Sequence, residues 1–146
     1  MTIASRVADE MGTHVGGVVG YGVRFDFKCT ADSVVRYYTD GVLLRETMTD
    51  PLLSKYSVII VDEAHQRSLH SDILLGLLKK IQRKRTNLRI IVTSATLDAM
   101  ALKNFFETSD NKETETAFIM SVQGIQLYTI DLLIMIFFKL MVLSVM

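Results

Sequence analysis

Cysteine and proline are almost missing from this chain of 146 residues, which has one of each, Cys29 and Pro51. A single cysteine excludes an internal disulfide framework and suits a reducing compartment. There is no proline- or glycine-rich linker and no internal repeat, so nothing in the text marks a flexible joint between domains. Net charge is missing as well, since 16 Lys and Arg balance 16 Asp and Glu. No global field therefore draws the chain toward nucleic acid, and any such contact must come from local placement. The first 12 residues have no apolar core of the kind a secretory signal carries, so none is expected.

What is present suits a packed domain. The chain is 49% hydrophobic and 22% charged, which permits a core and argues against wholesale disorder. Its length fits one domain of ordinary size. Composition shifts once. Residues 1–116 carry nearly all the charge, whereas residues 125–146 contain only Asp131 and Lys139 as charged residues, amid Ile, Leu, Met, Phe and Val. That tail is long enough to cross a bilayer. Lys139 would cost roughly 2.5–3.5 kcal/mol near its centre. A buried or aggregation-prone tail is the expectation, and a membrane span the weaker alternative.

Periodicity gives the elements. Ala4, Val7, Ala8 and Met11 recur at helical spacing, and Gly12 is placed to end that helix. Residues 18–27 read as a strand broken by Gly20 and Gly22, and residues 34–38 as a second short strand. Thr39 and Asp40 are placed to cap a helix over residues 41–48, with Glu46 available to its first turns and Asp50-Pro51 stopping it. Ser57-Val58-Ile59-Ile60-Val61 is a continuous run of the kind covered on both faces in parallel sheets. Residues 72–82 form a helix with a stripe of Ile73, Leu74, Leu77, Leu78 and Ile81. Residues 88–92 read as a second buried strand, and residues 97–106 start another helix with Asp98 at its positive end. Strand, helix, strand, helix predicts a doubly wound α/β sheet with flanking helices.

In such sheets ligands bind outside the carboxyl ends of the strands. Two predicted strands end there in polar text, Asp62-Glu63-Ala64-His65 and Thr93-Ser94-Ala95-Thr96. A carboxylate just past a buried strand is held stiffly. Asp62 suits Mg²⁺, a hard cation that prefers oxygen and keeps several waters. Glu63 beside it is placed to orient or deprotonate an attacking water. Two adjacent carboxylates with separate roles are what nucleotide hydrolysis needs on one side of the phosphates.

Asp62-Glu63-Ala64-His65, followed by Gln66-Arg67-Ser68, resembles the motif that names the DEAH-box RNA helicases. Ser94-Ala95-Thr96 resembles the motif that couples hydrolysis to strand separation in that family. Thr39-Asp40-Gly41-Val42-Leu43-Leu44-Arg45-Glu46 resembles an RNA-contacting motif, and Gly20-Tyr21-Gly22-Val23-Arg24-Phe25 the segment before it. All stand in the family's order, and the similarity extends over about residues 2–124. The resemblance implies part of the first RecA-like domain, of P-loop NTPase type. It implies ATP or another NTP with Mg²⁺ on Asp62, and Glu63 as catalytic base. His65 would link the nucleotide site to a second motor domain, with Ser94 and Thr96 helping that coupling. Thr39 would sit against an RNA phosphate, with Arg24 and Arg45 as neighbours. The members it most resembles are associated with pre-mRNA splicing, which implies spliceosomal partners and a nuclear location, with the cytoplasm as alternative.

One expected feature is not in the text. A phosphate loop needs Gly-x4-Gly-Lys-Ser/Thr. The nearest segment, residues 12–19, has Val18 where lysine belongs and Val19 where the hydroxyl belongs. The chain is therefore expected to be a fragment without the P-loop strand or the second motor domain, and inactive as an NTPase alone. A non-catalytic RNA-binding or regulatory form, or an unstable product, are the competing expectations.

Plainer readings stand beside these. Asp62 and Glu63 could be a solvated helix start, and Ser94 to Thr96 an ordinary helix cap. A zinc site from His65, His70 and Glu63 has the wrong spacing. The basic run Lys79, Lys80, Arg83, Lys84, Arg85 and Arg89 ends a helix, where cations are favoured in any case, so a solvated face is expected. Tyr37 and Tyr38 read as sheet packing rather than base-stacking residues.

Overall fold

The structure is a computed structural model that describes residues 2–94, 99–107, 117, 119 and 141–144. Helix α1 (Thr2–Glu10) precedes β1 (Val19–Val23), β2 (Asp26–Lys28) and β3 (Val35–Tyr38). Then come α2 (Asp40–Thr49), β4 (Tyr56–Val61), a 3-10 turn (Ala64–Gln66) and α3 (Leu69–Gln82). Strand β5 (Arg89–Val92), α4 (Ala99–Phe106) and β6 (Met141–Ser144) complete the order. The fold is α/β, as the alternating text predicts.

The strands form one sheet in the order β2-β1-β3-β6-β4-β5. β1 pairs parallel with β3, and β4 parallel with β5. β6 lies antiparallel between β3 and β4. It follows that β1, β3, β4 and β5 all run the same way, and β2 and β6 oppose them. The sheet is thus mixed, not wholly parallel. Two features lay outside the periodicity: the turn that folds β2 back on β1, and residues 141–144 of the apolar tail, which supply β6. The other residues of that tail, and with them the membrane question, lie outside the described residues.

Two apolar clusters hold the sheet. The larger joins Leu43 of α2, Leu74, Leu75, Leu78 and Ile81 of α3 and Phe106 of α4 to Tyr56, Ile59 and Val61 of β4. The smaller packs Ala4 and Ala8 of α1 on Val19, Tyr21, Val35 and Tyr37. Tyr37 and Tyr38 are buried, in line with sheet packing. The stripe of α3 is rotated from the predicted one, because Ile73 is 47% exposed and Leu75 is buried. Leu75 faces inward because α3 is covered by α2 on one side and approached by α4 on another.

Other expectations are corrected. The chain reverses at Arg24-Phe25, not at the glycines, which lie inside β1. A Cβ on Gly20 would meet the Lys28 carbonyl at 2.6 Å, and one on Gly22 the Phe27 ring at 2.7 Å. These glycines let β2 and its phenylalanine lie flat on β1. Strand β5 is an edge strand with Arg89 and Ile91 facing solvent, not a buried one. Glu46 does not serve the first turn of α2. It accepts from the Tyr56 hydroxyl and pairs with Lys55 at 3.3 Å.

Candidate functional site

Because four strands share one direction, their carboxyl ends share one rim of the sheet. Arg24 follows β1, Thr39 follows β3, Asp62 follows β4, and Thr93 and Ser94 follow β5. This is the rim at which ligands of open α/β sheets bind. One geometric fact thus gathers most of the residues singled out in the sequence. Arg45 lies on the exposed face of α2, and Thr96 lies outside the described residues.

At the end of β4, Asp62 accepts a hydrogen bond from the Thr93 hydroxyl. Backbone bonds reinforce the junction: Thr93 N donates to the Val61 carbonyl at 2.9 Å, and Ala64 N to the Thr93 carbonyl at 3.1 Å. Burial pushes the Asp62 carboxyl above the usual carboxylate range, and the Thr93 bond opposes that rise only partly. An anion whose charge is disfavoured by burial gains by meeting a cation.

Glu63 follows with φ of 56°, in the left-handed region that few non-glycine residues adopt. Its Oε2 lies 3.0 Å from Nε2 of His65. Both side chains are partly exposed. The 3-10 turn then runs to Arg67, which is also left-handed with φ of 47°. Arg67 makes a two-pronged bond to Asp72, Nε to Oδ1 at 2.8 Å and Nη2 to Oδ2 at 3.0 Å. That pairing lowers the Asp72 carboxyl below its usual range. The motif text therefore forms a short, strained turn clamped to the first turn of α3. A cleft of about 300 Å³ borders it, lined by Ala64, Arg67, Asp72, Leu75, Leu102 and Phe105. Asp62 and Glu63 do not line that cleft.

The donor set at Asp62 is all oxygen. Among the described residues no group of three or more His, Cys, Asp or Glu could cage a metal. One carboxylate with a neighbouring hydroxyl and carboxylate fits Mg²⁺, which keeps most of its waters and shares phosphate oxygens.

Thr39 is the N-cap of α2, yet its side chain makes no capping bond. Its amide donates to the Gly22 carbonyl at 3.4 Å, which ties the start of α2 to β1. Arg24 is exposed at the hairpin tip, 4.9 Å from the ring centre of Phe25. The basic run separates into different roles. Arg85 donates to the carbonyls of Leu52, Leu53 and Tyr56, and Lys79 lies over the Phe105 ring at 4.5 Å. Arg85 and Lys79 thus hold the fold together, whereas Lys80, Arg83, Lys84 and Arg89 are exposed, as expected of a solvated face. Sequence reasoning did not single out Thr93, Arg67 or Asp72 as partners. Thr93 was legible only as the polar residue ending β5.

No protein-family model matches the chain. Curated proteins do. The chain is 56% identical over 126 residues to the probable ATP-dependent RNA helicase DHX35 homolog of Caenorhabditis elegans, covering 85% of this chain and 17% of that protein. It is 54% identical over 129 residues to the probable ATP-dependent RNA helicase DHX35 of Homo sapiens, covering 85% of this chain and 18% of that protein. The Pongo abelii protein of the same name matches at 54% over 129 residues. The chain spans less than a fifth of the length of these relatives. It is thus a homologue of one segment of the ATP-dependent RNA helicases, the wider group its motifs resemble.

Proposed function

We propose that this chain is part of the first RecA-like motor domain of a DEAH-box RNA helicase. The observation that carries the reading is the shared rim: Asp62 and Glu63 leave β4 on the edge where Thr39 leaves β3. Asp62 would hold Mg²⁺, whose positive charge supplies neutralisation of the phosphates when nucleotide is bound. Glu63 orients the attacking water and accepts its proton, and His65 holds the Glu63 carboxylate in place. Thr39, whose hydroxyl makes no helix-capping bond, donates to an RNA phosphate oxygen, with Arg24 also on the rim. Phosphate contacts position a strand without reading its sequence, which suits a motor that moves along many RNAs.

Hydrolysis by the 146-residue polypeptide itself is another matter. Its text has Val18 and Val19 where a phosphate loop has lysine and a hydroxyl. We assign this polypeptide RNA contact without appreciable turnover. The finer placement, among splicing-associated members in the nucleus with spliceosomal partners, rests on the wording of the motifs.

The test is anisotropy of a labelled short RNA with the full chain, beside steady-state phosphate release. Weak RNA binding that falls steeply with salt, and weakens in Thr39→Val, is expected. No binding at low salt, or binding indifferent to Thr39→Val and Arg24→Ala together, contradicts the RNA reading. Phosphate release that disappears in Glu63→Gln contradicts the claim of negligible turnover.

A further inference from the structure

Thr39 and Glu63 lie on separate strand ends, and a part-buried polar cluster joins the starts of the helices that follow them, α2 and α3. Asp40, the first residue of α2, accepts from the Ser71 hydroxyl at 2.7 Å, and the Ser68 hydroxyl lies 3.4 Å from the same oxygen. The two serine hydroxyls are 2.5 Å apart. Ser68 also caps α3 by accepting from the Ser71 amide at 3.0 Å. Ser71 is almost wholly buried, so its hydroxyl depends on these partners. Asp40 is adjacent to Thr39, and Ser68 is adjacent to Arg67.

We infer that Asp40 is a positioning residue that carries the occupancy of Thr39 to the turn holding Glu63 and His65. This rests on the reading of Thr39 as an RNA contact. The element able to respond is the 3-10 turn Ala64–Gln66, flanked by Glu63 and Arg67, both in left-handed conformation. Such residues persist only where their surroundings hold them, and they concentrate where strain is used. This turn is held on one side by the bond from Thr93 to Asp62 and the Ala64 amide. On the other it is held by the start of α3, which Arg67 fixes to Asp72 and the serines fix to Asp40. A phosphate at Thr39 pulls on the first turn of α2. A hydrogen-bonded path for that movement runs from Asp40 to Ser71 and Ser68, the residue next to Arg67. A merely structural cluster would stabilise α2 against α3 and leave the turn indifferent to RNA.

The test is the backbone amide spectrum of the full chain, isotopically labelled and titrated to saturation with a short oligouridine. In the unaltered chain, signals of Ala64 and His65 are expected to move on RNA addition. Ser71→Ala should keep RNA affinity and lose most of that movement, whereas Ser71→Thr, which retains the hydroxyl, should restore it. If Ser71→Ala does not fold, Asp40→Ala replaces it with the same expected loss, and Asp40→Asn, which keeps the acceptor oxygen, is the matching rescue. Movement of Ala64 and His65 that survives undiminished in the alanine variant at saturation overturns the link while leaving the RNA reading intact. Absence of RNA binding by the unaltered chain overturns the RNA reading and the link together.

Discussion

The Thr93 hydroxyl is hydrogen-bonded to the Asp62 carboxylate, joining the ends of two parallel strands across residues 31 apart in sequence. Through this bond the start of one polar motif is set by the strand that leads to the next. It also fixes a carboxylate whose charged form burial disfavours.

That relationship gives a pH prediction. The folded carboxyl of Asp62 titrates above its unfolded value, so the unfolded chain releases this proton more readily. The stabilisation from holding the proton is present at low pH and is lost as pH rises through the raised value. Asp62→Asn keeps an acceptor for Thr93 and removes the charge. It should raise Tm at pH 7 by no more than about 2 °C, because solvent reaches part of this carboxylate and screens the penalty. The gain should shrink as pH falls toward the ordinary carboxyl range. Calorimetric melts at pH 7 and pH 4 check this, and a lower Tm for the variant at pH 7 would contradict it.

Arg85 gives a second prediction. Its guanidinium reaches three carbonyls, those of Leu52, Leu53 and Tyr56, and so fastens the end of α3 to the loop before β4. Lysine carries the same charge without the planar fork. Arg85→Lys should destabilise by about 2 kcal/mol, since charge-assisted bonds are lost and partly buried carbonyls are left short of donors. Urea melts measure this, and an unchanged midpoint would return Arg85 to an ordinary solvated position.

Tyr56 offers a third. Its buried hydroxyl donates to Glu46, and burial together with that carboxylate pushes its pKa far above the ordinary tyrosine value. Tyr56→Phe should cost about 1–2 kcal/mol by leaving a partly buried carboxylate without this donor. Denaturant midpoints of both chains provide the check, and an unchanged midpoint would show that the bond to Glu46 contributes nothing.

Phe25 supplies a prediction of opposite sign. It is 93% exposed and has φ of 70° at the tip of the β1–β2 hairpin. Its ring gains little from burial, and the left-handed backbone costs about 1–2 kcal/mol for such a residue. Phe25→Asn should stabilise the fold by about 1 kcal/mol, because asparagine tolerates that conformation. A drop in the urea midpoint would show that the ring has a structural role.

The sequence made some of this legible and hid the rest for physical reasons. Continuous β-branched text marked β4, and the polar residues after it marked the rim, because a side chain's place at a strand end follows from the strand alone. Helix α2 was readable between Thr39 and Asp50-Pro51 because its boundary residues are local signals, although the Thr39 side chain makes no capping bond. The pairing of Asp62 with Thr93, of Asp40 with Ser71 and of Arg85 with three carbonyls was not. Each depends on which elements become neighbours, and no periodicity encodes that. Strand β5 misled because Leu88 to Val92 is as apolar as a central strand, although it stands at the sheet's edge. The entry of residues 141–144 into the sheet was hidden too, since a uniformly apolar tail has no alternation to announce a strand.

The central claim is that Asp62 and Glu63 stand on the same rim as Thr39 and offer a hard cation its place there. Paramagnetic broadening tests it most directly, with Mn²⁺ standing in for Mg²⁺ and added with ATP to the labelled full chain. The account predicts that the amides of residues 61–65 and 93–94 broaden first, those near Thr39 next, and those of α1 last. Broadening centred on Asp9 and Glu10, or spread evenly over all the acidic residues, would contradict it.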